Sequence, residues 1–320
     1  MPGHRLAGLD GSSVVVEVPA SSANLGAGYD CLGVALAMTN RIEAEVRIWR
    51  RAEIELTVDG EGRNELTEDR ENRFVRGLEA ALRLALGDLP DEVGWRIGMR
   101  NQIPLSRGLG SSAAATVGGV LAGNALAGEP LSVPELLRLA TRIEEHPDNA
   151  AAAMLGGFVV SASTAAGVEA VRFDAPRGLR AVLFIPDLRL STREMRAALP
   201  ASVPLPDAIA NLAAVAVGVA GLATGRHELL GRLTVDRLHE PYRAAVYPQL
   251  PGMVAAARDA GAMGACLSGA GSTIIAFTDT AAGASALETA LAGAAASLDL
   301  SGRARTVALR NAGAGVIARA

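Results

Sequence analysis

The chain has 320 residues and a net charge of -4, with 30 basic against 34 acidic side chains, a balance that argues against a nucleic-acid binder. Half of the residues are hydrophobic and 20% are charged, which rules out a disordered chain and supplies a core for one or two domains. Every basic residue is arginine, so a lysine-dependent Walker loop, a protein-kinase strand lysine and a Schiff-base enzyme are all excluded, and any phosphate must be held by backbone amides, arginine or metal.

Residues 14–18 are an apolar run that Pro19 closes, predicting a short strand followed by a loop. Alternation of apolar and polar residues over 41–58 predicts further strands, the second of them half-buried. A polar linker then leads into an amphipathic helix over 72–86, and Trp95, Ile97 and Met99 alternate as a strand. The glycine-rich turn from Pro104 to Gly110 runs into an alanine-rich helix after Ser111. Residues 131–143 form a second helix with Ser132 at its N-cap, and residues 150–155 a third that Gly156 and Gly157 stop. Strands follow at 158–162 and 181–185, helices near 207–224 and 249–260, a strand at 273–277, a helix near 281–296 and a final strand at 305–309. Strands and helices are mixed rather than strictly alternating, which predicts a two-layer α+β architecture with a soft boundary near 157–163.

Cys31 and Cys266 are too few for a disulfide framework and lack the spacing of a zinc site, so they read as reduced, buried thiols. Three stretches without charge, 108–128, 149–168 and 208–225, are built from alanine and glycine rather than from the Leu, Ile and Phe that favour insertion, and read as buried helices packed through small residues instead of membrane spans. Residues 1–18 show no continuous apolar segment of a signal peptide, making the cytoplasm the default expectation.

The segment from Ile103 to Ala114 carries the most chemistry. Its glycines let the backbone turn with positive φ and approach a ligand, and Ser111 and Ser112 stand at a helix start whose amides and dipole attract phosphate. Either serine hydroxyl suits Mg²⁺, and Arg107 adds charge. An ordinary glycine turn with a serine cap is the alternative, though paired serines after two glycines exceed what one cap requires.

Three further segments are candidates. Asn24 and Asp30 lie six residues apart on a glycine-hinged loop, suiting a polar pocket wall with Asp30 facing an ammonium, or simply two turns. Glu144-Glu145-His146-Pro147-Asp148-Asn149 lies between two helices, where Asp148 or Asn149 caps the second and one carboxylate completes a Mg²⁺ site with a serine hydroxyl. Residues 266–273 form a late glycine loop, either a tight hairpin or a second wall facing the first loop.

In this order the motifs resemble the GHMP small-molecule kinases, and their wording is similar to the branch that phosphorylates homoserine. The likeness covers most of the chain and includes the run from Ser21 to Gly26, the His146-Pro147-Asp148-Asn149 box, Thr192 with Arg196, and Glu240-Pro241-Tyr242-Arg243. The resemblance implies a ribosomal protein S5 domain 2-like N-terminal half, residues 1–158, and a ferredoxin-like C-terminal half, residues 159–320. It implies ATP and Mg²⁺, transfer of the γ-phosphoryl group to the side-chain hydroxyl of L-homoserine, a step toward threonine, no nucleic-acid or membrane partner, and a homodimer as a family expectation. Carried over residue by residue, Pro104, Leu105, Ser106, Arg107, Gly108, Leu109, Gly110, Ser111, Ser112, Ala113 and Ala114 wrap the ATP phosphates, Asn72 lies near the adenine, and Ser112 and Glu144 hold the metal. Asn24, Asp30, His146, Asn149, Thr192, Arg196 and Arg243 surround the acceptor, with Asn149 orienting its hydroxyl where related kinases keep an aspartate, and Asp148 serving as a cap. The sequence departs from the pattern at Ala27, Tyr29, Glu145 and Ser272; Glu145 replaces a glycine and leaves open which carboxylate reaches the metal. The alternatives are another GHMP kinase with a different small hydroxyl substrate and a non-catalytic ligand-binding relative.

Overall fold

A computed structural model describes residues 8–48, 53–90 and 92–320; residues 1–7 of the expected leaderless N-terminus lie outside them. Among the described residues the chain builds two sheets. The larger has seven strands: β1 (Ser13–Ala23), β2 (Leu32–Ile48), β3 (Ile54–Gly60), β4 (Val93–Asn101), β5 (Phe158–Thr164), β6 (Gly167–Phe173) and β11 (Gly315–Arg319). Its main path runs β11-β1-β2-β4-β3, with β5 pairing β2 and β6 pairing β5. The smaller sheet has the order β10 (Gly302–Ala308), β7 (Arg180–Pro186), β9 (Ile274–Thr278), β8 (Gly264–Leu267).

Four helices cover the larger sheet: α1 (Arg73–Leu86), α2 (Ser111–Leu126), α3 (Val133–Glu144) and α4 (Pro147–Leu155). Helix α2 carries no charge on any face, so it is stable only where every face is covered, and it is buried between α1 and β1. Its glycines set how close α1 comes: a Cβ at Gly119 would stand 2.1 Å from the Phe74 carbonyl oxygen, and one at Gly123 2.3 Å from that of Leu78. The smaller sheet packs against α9 (Leu250–Asp259) and α10 (Ala281–Ser297); the other helices are the short α5 (Thr192–Ala197), the long α6 (Leu205–Ala223), which packs on the single-turn α7 (Leu230–Leu233), and the single-turn α8 (Glu240–Arg243).

The α+β reading and most element positions hold, with four corrections. Strand β1 does not stop at Pro19; the pairing with β2 shifts register between Pro19 and Ala20 and resumes to Ala23, a bulge that tolerates the missing N–H. Residues 305–309 do not end the chain's strands, because β11 returns to pair with β1. With β5, β6 and β11 all in the larger sheet, a division at residue 158 cuts through a single layer. Finally, the charge-free stretch at 149–168 is a helix and a strand, and that at 208–225 lies in a largely exposed helix: Leu205 and Leu212 of α6 are 71% and 72% exposed. Helix α6 is, by length and composition alone, long and apolar enough to cross a membrane, yet it carries Asp207 in its first turn and packs Gly218 and Gly221 against Leu233 and Leu229.

Candidate active site

The loop after β4 reaches left-handed φ at Ser106, Gly108 and Gly110, and Gly110 is the residue before α2. The carbonyls that a preceding turn would offer to the first helical amides are already taken: Arg107 O accepts from Thr273 N at 3.1 Å, Gly108 O from Ser268 Oγ at 2.6 Å and Leu109 O from Ser21 N at 3.2 Å. None of them accepts from the helix, whose first backbone bond is Ala114 N to Gly110 O at 2.8 Å, so the amides of Ser111, Ser112 and Ala113 have no backbone partner among the described residues and form an anion-binding helix start.

Those same bonds join the two glycine loops, which the sequence spacing left undecided. Ser268 Oγ lies 2.8 Å from Ser22 Oγ; since its one proton goes to Gly108 O, Ser22 donates to it. Gly269 N donates to Ala23 O at 3.0 Å, and a Cβ at Gly108 would stand 2.1 Å from Ser268 O. Arg107 is spent on this junction: its guanidinium donates to the carbonyls of Pro186 and Asp187 at 2.6 and 2.8 Å, tying the loop to the smaller sheet rather than offering free charge.

Ser112 and Thr116, one helical turn apart on α2, both donate to Glu144 Oε1, at 3.0 and 2.6 Å. Glu144 closes α3, whose start is the expected Ser132 cap with Glu135 accepting back from Ser132. Glu145 follows in the left-handed region at φ +71° and is exposed, so Glu144 is the carboxylate that meets Ser112. Glu144 Oε2 has no hydrogen-bond partner among the described residues. The donor set is oxygen only and small, which fits Mg²⁺, a hard cation that keeps several waters.

The far end of the cleft is charged. Asp30 takes a left-handed φ of +58°, its N–H donating to Asn24 Oδ1 at 3.0 Å while Asn24 Nδ2 donates to Gly269 O at 2.9 Å. Arg196 on α5 pairs with Asp30 and donates to Tyr29 Oη at 2.6 Å. Arg243 is 1% exposed; its guanidinium donates to Gly269 O at 3.0 Å and His239 Nδ1 at 3.1 Å, and both arginines lie over the Tyr29 ring. That contact fixes the His239 tautomer, with Nε2 donating to Gly26 O at 2.8 Å. His146 stands 3.8 Å from Asp30, and burial holds its imidazole below the usual range.

Helix α4 starts at Pro147, three residues earlier than the periodicity predicts, so His146 and not Asp148 occupies the cap position. Asp148 sits in the first turn, buried, with Oδ1 accepting from Asn149 N at 2.7 Å, and burial raises its carboxyl to about 7. Asn149 Oδ1 accepts from Ser21 Oγ at 2.9 Å.

These groups line one cleft of about 640 Å³, within the size of small-molecule sites. Every residue expected at the acceptor and the metal lines it, as does the loop from Ser106 to Ala113. Asn72, Pro104, Leu105 and Ala114 do not: Asn72 caps α1 through Phe74 N at 3.0 Å and donates to Thr67 O, and Ala114 lies in the core. Cys31 is half-buried rather than buried, its thiol pushed up to about 11 by burial and the nearby Asp148 and Asp30. Sequence reasoning gave no individual role to Ser21, Thr116, His239 or Ser268, although Ser21 and Ser268 lie in segments it singled out, because their partners lie 28 to 246 residues away in the chain.

Two family models match: GHMP kinases N terminal domain over residues 72–157 and GHMP kinases C terminal over 219–296. The chain is 45% identical to the homoserine kinase of Moorella thermoacetica, across 82% of this chain and 86% of that one, and 43% identical to that of Corynebacterium aurimucosum, across 83% and 86%. Among solved structures it superposes on homoserine kinase from Cytophaga hutchinsonii with a TM-score of 0.83 at 30% identity, covering 95% of this chain and 97% of that one. Mevalonate kinase of L. major shares the fold, with a TM-score of 0.66 at 16% identity over 92% and 96%.

Proposed function

The chain belongs to the homoserine kinases of the GHMP family, and from that membership we propose that its cleft transfers the γ-phosphoryl group of ATP to the side-chain hydroxyl of L-homoserine, giving O-phospho-L-homoserine and ADP on the way to threonine. One juxtaposition carries the reading: a helix start with unpartnered amides and the Ser112–Glu144 pair at one end of the cleft, Asp30, Arg196 and Arg243 at the other, and Asn149 in the same cavity.

In this reading the amides from Ser106 to Ala113 cradle the phosphates without lysine. Ser112 and Glu144 would hold Mg²⁺, which when bound neutralises charge on the transferring phosphoryl group. Arg196 and Arg243 take the α-carboxylate of the amino acid and Asp30 its ammonium, each a charge-assisted bond of roughly 1.5–3 kcal/mol. His146 and Thr192 line the same end. Asn149 orients the hydroxyl. Phosphoryl transfer through a loose transition state needs positioning and charge neutralisation above all, so a strong base is not obligatory.

The test is ADP release with Mg²⁺-ATP against L-homoserine, L-threonine, mevalonate, galactose and no acceptor, with Arg196→Ala as specificity control. Homoserine-dependent release that the variant loses supports the assignment. Release with another acceptor keeps the family and discards the substrate, and ATP binding without turnover on any acceptor means a non-catalytic relative.

A further inference from the structure

The run from Ser21 to Gly26 contributes Asn24 to the acceptor end, and nothing so far uses Ser21. It is fully buried at the inner end of β1, and its Oγ meets Asn149 Oδ1 at 2.9 Å across 128 residues of sequence. A hydroxyl has one proton to give, and here it goes to that carbonyl oxygen.

The consequence lies in the geometry of a carboxamide. Oxygen and nitrogen diverge from one planar carbon, so turning Oδ1 toward Ser21 turns Nδ2 the other way. Nδ2 has no hydrogen-bond partner among the described residues, and it is not one of their buried unpartnered atoms, while Asn149 lines the cleft. Its two N–H donors therefore face the cavity. Gly110 closes the junction: a Cβ there would stand 2.2 Å from Ser21 Oγ and 3.0 Å from Asn149 Oδ1, so the residue that starts the phosphate-binding helix also fixes the space for this bond.

We propose that Ser21 is a positioning residue: by holding Asn149 Oδ1 it keeps Nδ2 toward the cleft, so that Asn149 orients the acceptor by donating to its hydroxyl oxygen rather than by accepting its proton. The inference rests on the homoserine kinase reading. A lone pair of the hydroxyl oxygen engaged by Nδ2–H leaves the other free to form the bond to phosphorus as the bond to the departing ADP oxygen breaks, the hydroxyl proton passing to an oxygen of the transferred phosphoryl group; a carboxamide turned the other way presents an acceptor that competes for that proton instead.

A double-mutant cycle tests it, with kcat and KM for both substrates and a thermal melt for each protein. Ser21→Ala lowers kcat about 10- to 100-fold with KM for ATP and homoserine changed less than about twofold, and it has no further effect on kcat in an Asn149→Ala background, because it acts only through that amide. An unchanged kcat in Ser21→Ala, or a loss that repeats in full in the Asn149→Ala background, overturns the proposal. Should Ser21→Ala fail to fold, Asn149→Asp reads the same orientation: Ser21 keeps its acceptor, the cleft loses its donor, and kcat falls at least about 100-fold, whereas a kcat that Asn149→Asp preserves refutes donation. Wild-type protein without homoserine-dependent ADP release would refute the functional reading instead, so the two failures are distinct.

Discussion

The guanidinium of Arg196 closes on the carboxylate of Asp30 through two hydrogen bonds of 2.5 and 3.0 Å, with both side chains about 30% exposed at the wall of the cleft. An α-amino acid carries the same two charges, so its carboxylate and ammonium can exchange with this pair group for group, and the fork geometry of arginine suits a planar carboxylate. Arg196→Ala should raise KM for homoserine about 10- to 100-fold, the equivalent of one or two charge-assisted bonds, with KM for ATP nearly constant. Arg196→Lys should recover little of the loss, because an ammonium cannot reproduce the fork. Equal rises in both KM values would place Arg196 outside the acceptor site.

Glu144 separates charge from hydrogen bonding. Glu144→Gln keeps an oxygen for Ser112 and Thr116, 3.0 and 2.6 Å away in the wild type, and removes the anion a hard cation needs. We expect the melting temperature to hold and the Mg²⁺ concentration for half-maximal rate to rise about tenfold or more. Titrating Mg²⁺ at saturating ATP measures it; an unchanged Mg²⁺ response would mean that the metal is held elsewhere.

What the sequence made legible was local. Helical periodicity located α1 to within a residue, the Ser132 cap marked where α3 begins, and glycines at 108 and 110 announced a loop that turns with positive φ. Pairings set by distant residues were not legible. Pro19 reads as a stop until the bulge opposite β2 is seen, and Arg107 reads as a free cation until the carbonyls of Pro186 and Asp187 reach it. Beyond Asp207, helix α6 shares the charge-free, alanine- and glycine-rich composition of helix α2, yet one is largely exposed and the other buried, because burial depends on what packs outside the helix.

Glu145 illustrates a cost that local chemistry can remove. It holds φ +71° at the C-cap of α3, exposed, with its Cβ in the region where only glycine is unstrained. Glu145→Gly should stabilise the protein by about 1 kcal/mol, a rise of roughly 2 °C in a chain of this size, with kcat unchanged because Glu144 is the carboxylate facing Ser112. A fall in melting temperature would show that Glu145 makes a compensating interaction.

Asp148 and Asn149 are adjacent, and the reading assigns the acceptor hydroxyl to the second. Asp148 is 4% exposed, and burial, reinforced by Asp30, lifts its carboxyl from 3.8 to about 7. The folded protein therefore keeps a proton that the unfolded chain releases above pH 3.8, so this group's stabilising contribution is full in acid and is lost as pH rises through about 7. Glu240, raised by burial to about 8, adds a similar decline at slightly higher pH. Asp148→Asn keeps an oxygen for the Asn149 amide and carries no charge at any pH. Its melting temperature should gain on the wild type as pH goes from 5 to 8, while the decline due to Glu240 persists in both. Turnover should stay within about threefold of wild type, whereas Asn149→Ala should lose about 100-fold or more. If Asp148→Asn abolishes turnover and Asn149→Ala leaves it intact, the buried carboxylate is the group that meets the hydroxyl, and the orientation set by Ser21 is not what drives the reaction.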